Sequence, residues 1–242
     1  PKRLRKPLFG AAGRLYPKLN RAPRFLRAKA TFQSLAMDPL EGYLDSVAVV
    51  KTPQRERLYS DSFQRELQGY RAVEVLRGHA ANAPDEPLLQ AQYLDFRTYL
   101  PGDILTKVDR ASMAHSLEVR VPFLDVDVVE HALSLPIGHK ISARDRKRVL
   151  KRAFEDVLPE SILQRDKQGF DMPIGEWLKG PLADEFRDLV GSVEDPYLDG
   201  AETLAIHDEH VDGRRDHEKF CWSVYVYLRW IRRMRKEGIL HG

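Results

Sequence analysis

The chain has 242 residues, 43% of them hydrophobic, enough to bury one sizeable core or two small ones and to place it among globular proteins. No apolar run approaches the roughly 18 residues a membrane span needs, and the single cysteine, Cys221, excludes an intramolecular disulfide or a thiolate metal cluster and fits a reducing, cytoplasmic setting. The net charge is only +3, yet no acid precedes Asp38, while Lys2, Arg3, Arg5, Lys6, Arg14, Lys18, Arg21, Arg24, Arg27 and Lys29 crowd the same stretch. Such an arm suits nucleic acid, anionic lipid or an acidic substrate. It shares the arginine content of a transit peptide but few of its serines. Opening on Pro1 without an initiator methionine, the chain reads as part of a longer polypeptide.

In chain order, the best strand-like alternation lies from Ser46 to Val50, in a sequence otherwise poor in it. A helix is expected from Asp61 to about His79, bounded by Ser60 and by the NAPDEP loop. From Leu89 to Leu100, apolar and aromatic residues recur at helical spacing (Leu89, Tyr93, Phe96, Leu100), and Pro101 with Gly102 is expected to break the run. The next helix, from about Asp103 to Ser116, carries apolar residues on two sides and is read as buried between neighbours. Asp125 stands where an N-cap belongs, before a one-sided helix through Val126, Val129, Ala132 and Leu133 that Pro136 stops. Ser142 and Asp145 resemble a capping box opening a basic helix that ends before Pro159. The last long helix runs from about Glu218 to Lys236, with Phe220, Val224, Tyr227, Leu228 and Ile231 on one stripe. There is no internal repeat and no low-complexity tract.

Within KVDRASMAHSLEVRVPFLD, Lys107 to Asp125, an acid and a guanidinium lead straight into the apolar turn VPFL. Pro122 disfavours helix at Val121, so Glu118 and Arg120 sit at a helix exit where carbonyls need donors. They are read as a partly buried structural brace, with Asp125 as the cap beyond them. Lys107, Asp109 and Arg110 share one helical turn, which by itself describes a solvated, salt-bridged face. In DKQGF, Gly169 permits a tight turn and Pro173 restarts helix, so Lys167 is presented on a loop. His207, His210 and the nearby His217 could face a metal, but the zinc-protease pattern needs histidines four apart with a glutamate between them. The acids and arginines around them suit a solvated hairpin, and no metal site is expected. His115 is read as a hydrogen-bonded core residue and Cys221 as packing.

The stretch from Tyr99 to Asp125, YLPGDILTKVDRASMAHSLEVRVPFLD, resembles the synthetase domain of glutamine-dependent asparagine synthetases. QRDKQGFDMPIGEWLKGPL, from Gln164 to Leu182, resembles the same domain farther along, in the same order, and Lys147 falls where that family carries a lysine at the start of its next helix. APRFLRAKATFQSLA, from Ala22 to Ala36, is similar to the branch associated with exosortase and exopolysaccharide systems. The resemblance implies that residues 1–242 are the C-terminal part of one such domain, with a basic arm and helical segment (1–86), a motif-bearing core (87–190) and C-terminal helices (191–242). The fold class it implies is mainly α in this chain, the remnant of an α/β PP-loop, adenine-nucleotide alpha-hydrolase-like domain. Lys167 would then be catalytic, facing the phosphate of an acyl-adenylate, and Lys107, Asp109 and Gly169 would contact the substrate or the route of ammonia.

The implied partners are aspartate or another carboxylate, glutamine-derived ammonia and an N-terminal glutaminase domain, and a homodimer is allowed. ATP and Mg2+ serve the full-length enzyme of that family. The family's nucleophilic cysteine at residue one, its Ser-Gly-Gly-x-Asp-Ser pyrophosphate loop and its Gly- and Asp/Glu-rich metal segment are absent from this sequence, so this chain alone is expected neither to bind ATP tightly nor to be active. The rival reading is a basic helical module for nucleic acid or an anionic surface. It rests on the arm and on Arg229, Arg232, Arg233, Arg235 and Lys236, and lacks any nucleic-acid-reading motif.

Overall fold

The computed structural model describes residues 8, 11, 36–142, 145–165 and 172–240. Its helices are α1 (Pro39–Val47), α2 (Thr52–Leu58), α3 (Asp61–Glu66), α4 (Val73–Ala80) and α5 (Pro87–Leu94), which runs into a π-helix (Asp95–Leu105) and then α6 (Thr106–Met113). A 3-10 turn (Pro122–Leu124) precedes α7 (Val126–Ser134), α8 (Ile137–Lys140), α9 (Arg148–Ala153) and α10 (Glu160–Leu163). The chain continues through α11 (Ile174–Lys179), α12 (Ala183–Ser192), α13 (Gly200–Val211) and α14 (Glu218–Lys236). No strand occurs among the described residues; two isolated bridges, Tyr59 with Leu198 and Ile141 with Arg146, are the only extended pairings there. The chain divides into two compact units, one of Pro1–Val75 with Met172–Gly242, the other of Leu76–Asp171.

The first unit holds the main core. Helix α14 buries Phe220, Cys221, Val224, Tyr225, Leu228 and Ile231 along one stripe, against Leu178 of α11, Phe186 and Leu189 of α12 and Ile206 of α13. At roughly 2 kcal/mol for each such side chain, this stripe dominates the unit's stability. Leu58, at the end of α2, joins the same cluster. Backbone bonds hold that end in place: Asp199 donates to the Leu58 carbonyl (2.7 Å) and Ser60 to that of Tyr197 (2.9 Å). The caps follow local chemistry, with Asp38, Ser60 and Asp199 each accepting from an amide of the first turn of α1, α3 and α13.

The second unit is helical but thinly packed. Its buried apolar residues, among those described, are Leu76 and Leu94. Several expectations change here and at the unit boundary. The helix expected from Asp61 to His79 is two helices, because Gln68 (φ 47°) and Gly69 (φ 82°) are left-handed and turn the chain. Pro101 does not break the run after Leu89. The backbone takes the wider π winding through it, and the Thr106 hydroxyl donates to the Pro101 carbonyl at 2.7 Å. Helix α6 buries none of its residues, so it is not sandwiched between neighbours. The alternation at Ser46–Val50 forms no strand; Ser46 and Val47 close α1, whose last turn is completed by the Ala48 amide on the Leu44 carbonyl at 2.8 Å. Ser142 Oγ accepts from the Asp145 amide at 3.1 Å, but that turn precedes α9 and does not cap it. The α9 cap position is Lys147, in the left-handed region at φ 58°.

Candidate functional site

The segment leading into the VPFL turn, residues 117–121, has no regular secondary structure. Ser116 at φ 56° ends the α6 turn, and the Leu117 amide reaches back to the Ser112 carbonyl at 3.0 Å. Beyond it Leu117, Val119 and Val121 alternate with Glu118 and Arg120. Glu118 and Arg120 meet across this stretch: Arg120 Nη2 is 2.6 Å from Glu118 Oε1. The pair is not partly buried as expected. The side chains are 84% (Arg120) and 70% (Glu118) exposed, and a solvated pair of this kind contributes under about 1 kcal/mol. Asp125 Oδ1 accepts from the Asp127 amide at 3.0 Å and caps α7.

Lys107 and Asp109 are exposed on α6, and Lys107 Nζ lies 3.9 Å from Asp103 Oδ1. His115 is exposed as well, so the core reading of that residue does not hold. Its place just before the left-handed Ser116 puts it on a turn surface. Lys167 and Gly169 lie outside the described residues.

Between the two motif stretches, α8, α9 and the end of α10 wall a cavity of about 370 Å³. Its lining carries Arg148, Lys151 and Arg152 together with the carboxylates of Asp145 and Glu155, and Gln164 lines it just ahead of the DKQGF stretch. Lys151 Nζ is 2.7 Å from Asp145 Oδ1, and this hydrogen bond holds the Asp145 carboxyl below its ordinary range. Arg148 donates to the Gly138 carbonyl. Arg152 makes no ion pair with a described residue, so its guanidinium is the wall's spare donor. Chemically, a spare guanidinium of this kind accepts an anion. Neither the cavity nor the left-handed Lys147 was visible in the sequence, since both depend on how three short helices meet; the run RDRKRVLKR showed only that charge would be dense there.

The first unit contains the histidines. They are buried, at 0% for His207, 2% for His210 and 3% for His217, and the solvated-hairpin reading gives way to a hydrogen-bonded core. His207 Nε2 meets the Leu178 carbonyl at 3.0 Å with its ring stacked on Phe186, and His210 Nε2 meets that of Gly175 at 3.1 Å. His210 Nδ1 accepts from the His217 amide (3.2 Å). His217 Nε2 lies 2.7 Å from Glu209 Oε2 and its Nδ1 3.1 Å from Gln54 Nε2. Arg57 pairs with Glu202 and Glu209 on the same side. A Cβ at Gly175 would stand 2.8 Å from Glu218 Oε2, which would have to shift, and in ordinary contact with the His210 ring at 3.5 Å. The apolar neighbours Ile206 and Val211 were the available signal of this burial. No cluster of three potential metal ligands occurs among the described residues. Burial pushes the Cys221 thiol up to about 12, which makes it an inert packing group. Three of the C-terminal arginines are engaged: Arg229 and Arg232 with Glu185, Arg232 also with Asp188, and Arg233 with Glu237. No described helix is long and apolar enough to cross a membrane.

Comparison with known proteins gives this arrangement a family. A "Putative asparagine synthetase [glutamine-hydrolyzing]" of Mycobacterium tuberculosis is 37% identical over 191 residues, covering 72% of this chain and 29% of the relative. "Asparagine synthetase [glutamine-hydrolyzing] 1" of Bacillus subtilis is 36% identical over 140 residues, 57% of this chain and 22% of its own length. The Gallus gallus asparagine synthetase is 36% identical over 132 residues, with 53% and 22% covered. These relatives are named as glutamine-hydrolysing synthetases, and the chain spans less than a third of their length. The asparagine synthase family profile matches residues 8–232, and the chain belongs to that family. No solved structure gave a significant match.

Proposed function

We propose that this chain is the C-terminal part of the synthetase domain of an ATP- and glutamine-dependent amidotransferase. The observation that carries the reading is the pair of motifs, Tyr99–Asp125 and Gln164–Leu182, standing in order within the stretch that the family profile matches. In the proposed reaction the carboxylate of aspartate attacks the α-phosphorus of ATP and pyrophosphate leaves. Ammonia from glutamine then attacks the acyl carbon, AMP departs, and the nitrogen loses a proton as the amide forms. Activation replaces a poor leaving group with a good one. The likeness of the arm to the exopolysaccharide branch makes a sugar acid or a peptide carboxylate the alternative acceptor.

Lys167 is the catalytic residue of this proposal. Its compact ammonium, in the DKQGF motif, meets the charge that develops on the phosphate and acyl oxygens. Lys107, Asp109 and Gly169 contact substrate or the ammonia route, while Asp125 caps α7 beyond the solvated Glu118–Arg120 pair. The spare guanidinium of Arg152 is the group in the α9 cavity that would meet a phosphate, with Glu155 beside it opposing the charge. No cluster of three potential metal ligands lies among the described residues, and no step is routed through magnesium. An N-terminal glutaminase domain supplies the ammonia, and the enzyme works in the cytoplasm.

The test is Lys167→Ala in the full-length enzyme. Amide synthesis should fall by about a hundredfold or more, the scale for losing one contact to a developing oxyanion. Glutamine hydrolysis and the melting temperature should stay unchanged, because removing one charge-bearing contact to substrate leaves the core as it was. Full synthesis with weakened glutaminase would make Lys167 a domain contact and overturn the assignment.

A further inference from the structure

The geometry points to a second small-molecule site in the first unit, walled by α1, α2, α3 and the turn into α4, which takes an organic monocarboxylate with an aromatic or branched body. The cavity there is about 400 Å³, within the range of small-ligand pockets, roughly 300–1,000 Å³. It exists because the left-handed Gln68 and Gly69 reverse the chain, so that residues 70–73 form a wall facing α2. Its lining residues all lie outside the two family motifs.

Most of the surface offered is apolar: Leu44, Leu67 and Val73 with the rings of Tyr59 and Tyr70. The Tyr59 ring is held edge-on against Phe63 at 4.9 Å, while Tyr70 is 55% exposed and forms a lip. The polar groups narrow the ligand's charge. Gln64 Nε2 is committed to the carbonyls of Tyr59 (2.9 Å) and Glu56 (3.3 Å), and Arg71 to Glu41 at 3.0 Å. Arg55 is half-buried; its Nη2 donates to Thr52 Oγ1 at 3.0 Å, and it has no carboxylate partner among the described residues. Its remaining donors form the planar fork that a carboxylate fits. Glu56, exposed on the same helix, opposes an anion and tunes the site without filling it.

The probe is 3-phenylpropanoate, titrated by calorimetry into the 242-residue chain, with the neutral 3-phenylpropan-1-ol as the charge control. The expected result is saturable one-to-one binding, with a dissociation constant below about 10 mM and an alcohol weaker by about tenfold, the scale of one charge-assisted bond. Arg55→Gln should weaken the acid by a similar factor, Glu56→Gln should tighten it, and Lys151→Gln should leave it unchanged. Should Arg55→Gln fail to fold, the exposed Glu56→Gln decides alone. Absence of saturation, equal binding of acid and alcohol, or weaker binding by Glu56→Gln would overturn the site.

Discussion

At the scale of single residues, His207 carries an unusual burden. Its Nε2 is spent on the Leu178 carbonyl, its face on Phe186, and its Nδ1 is buried without a hydrogen-bond partner among the described residues. Burial is the largest cause holding its pKa below the ordinary 6.5, with the Arg187 charge adding to it and the Leu178 bond opposing. The folded protein therefore keeps this ring neutral where the unfolded chain takes up a proton. Stability is complete above about 6.5 and falls as the pH drops below it, by at most about 1.4 kcal/mol per pH unit for one proton. Urea unfolding at pH 7.5 and pH 5.5 checks this: the stability gap between the native chain and His207→Gln should shrink on acidification. An unchanged gap would show that His207 titrates normally in the fold. The sequence showed three histidines among acids and arginines and pointed outward, because their partners lie on other elements: the Leu178 and Gly175 carbonyls and the Phe186 ring from α11 and α12, and Gln54 from α2.

At the scale of elements, legibility followed the source of each signal. Helix α14 was readable over its full span because one apolar stripe, interrupted by no breaker, decides it. The helix expected from Asp61 failed at Gln68 and Gly69, a turn whose only advertisement is one glycine. Pro101 was overrated as a stop, since a wider winding tolerates a missing amide. Of the candidate site, the motifs and the solvent-facing Lys107 and Asp109 were legible locally; the depth of the Glu118–Arg120 pair was not, since burial depends on what else packs there. Capping allows a quantitative check. Asp199 Oδ1 accepts from the Glu202 amide at 2.9 Å at the start of α13, the helix that carries His207 and His210. Asp199→Ala should cost about 1 kcal/mol, read as a lower denaturant midpoint with an unchanged slope, whereas Asp199→Asn should retain most of the stability.

At the scale of the molecule, apolar burial is unevenly shared. The described core cluster belongs to the first unit, while Met113, Leu117, Phe123, Val126 and Val157 of the second are 57%, 60%, 61%, 67% and 70% exposed. Local opening free energy follows such differences. Amide hydrogen exchange should find the slowest sites in α13 and α14 and markedly faster exchange from α6 to α10; equal protection in both would contradict the packing described. The first unit is also discontinuous, for Gln54 meets His217 across 163 residues of chain. A ribosome adding roughly 5–20 residues per second needs about 8–30 s to travel from one to the other. Leu58 and the helices around it emerge well before their partners and must stay soluble in the interval, so this unit assembles only after the whole intervening segment has left the exit tunnel.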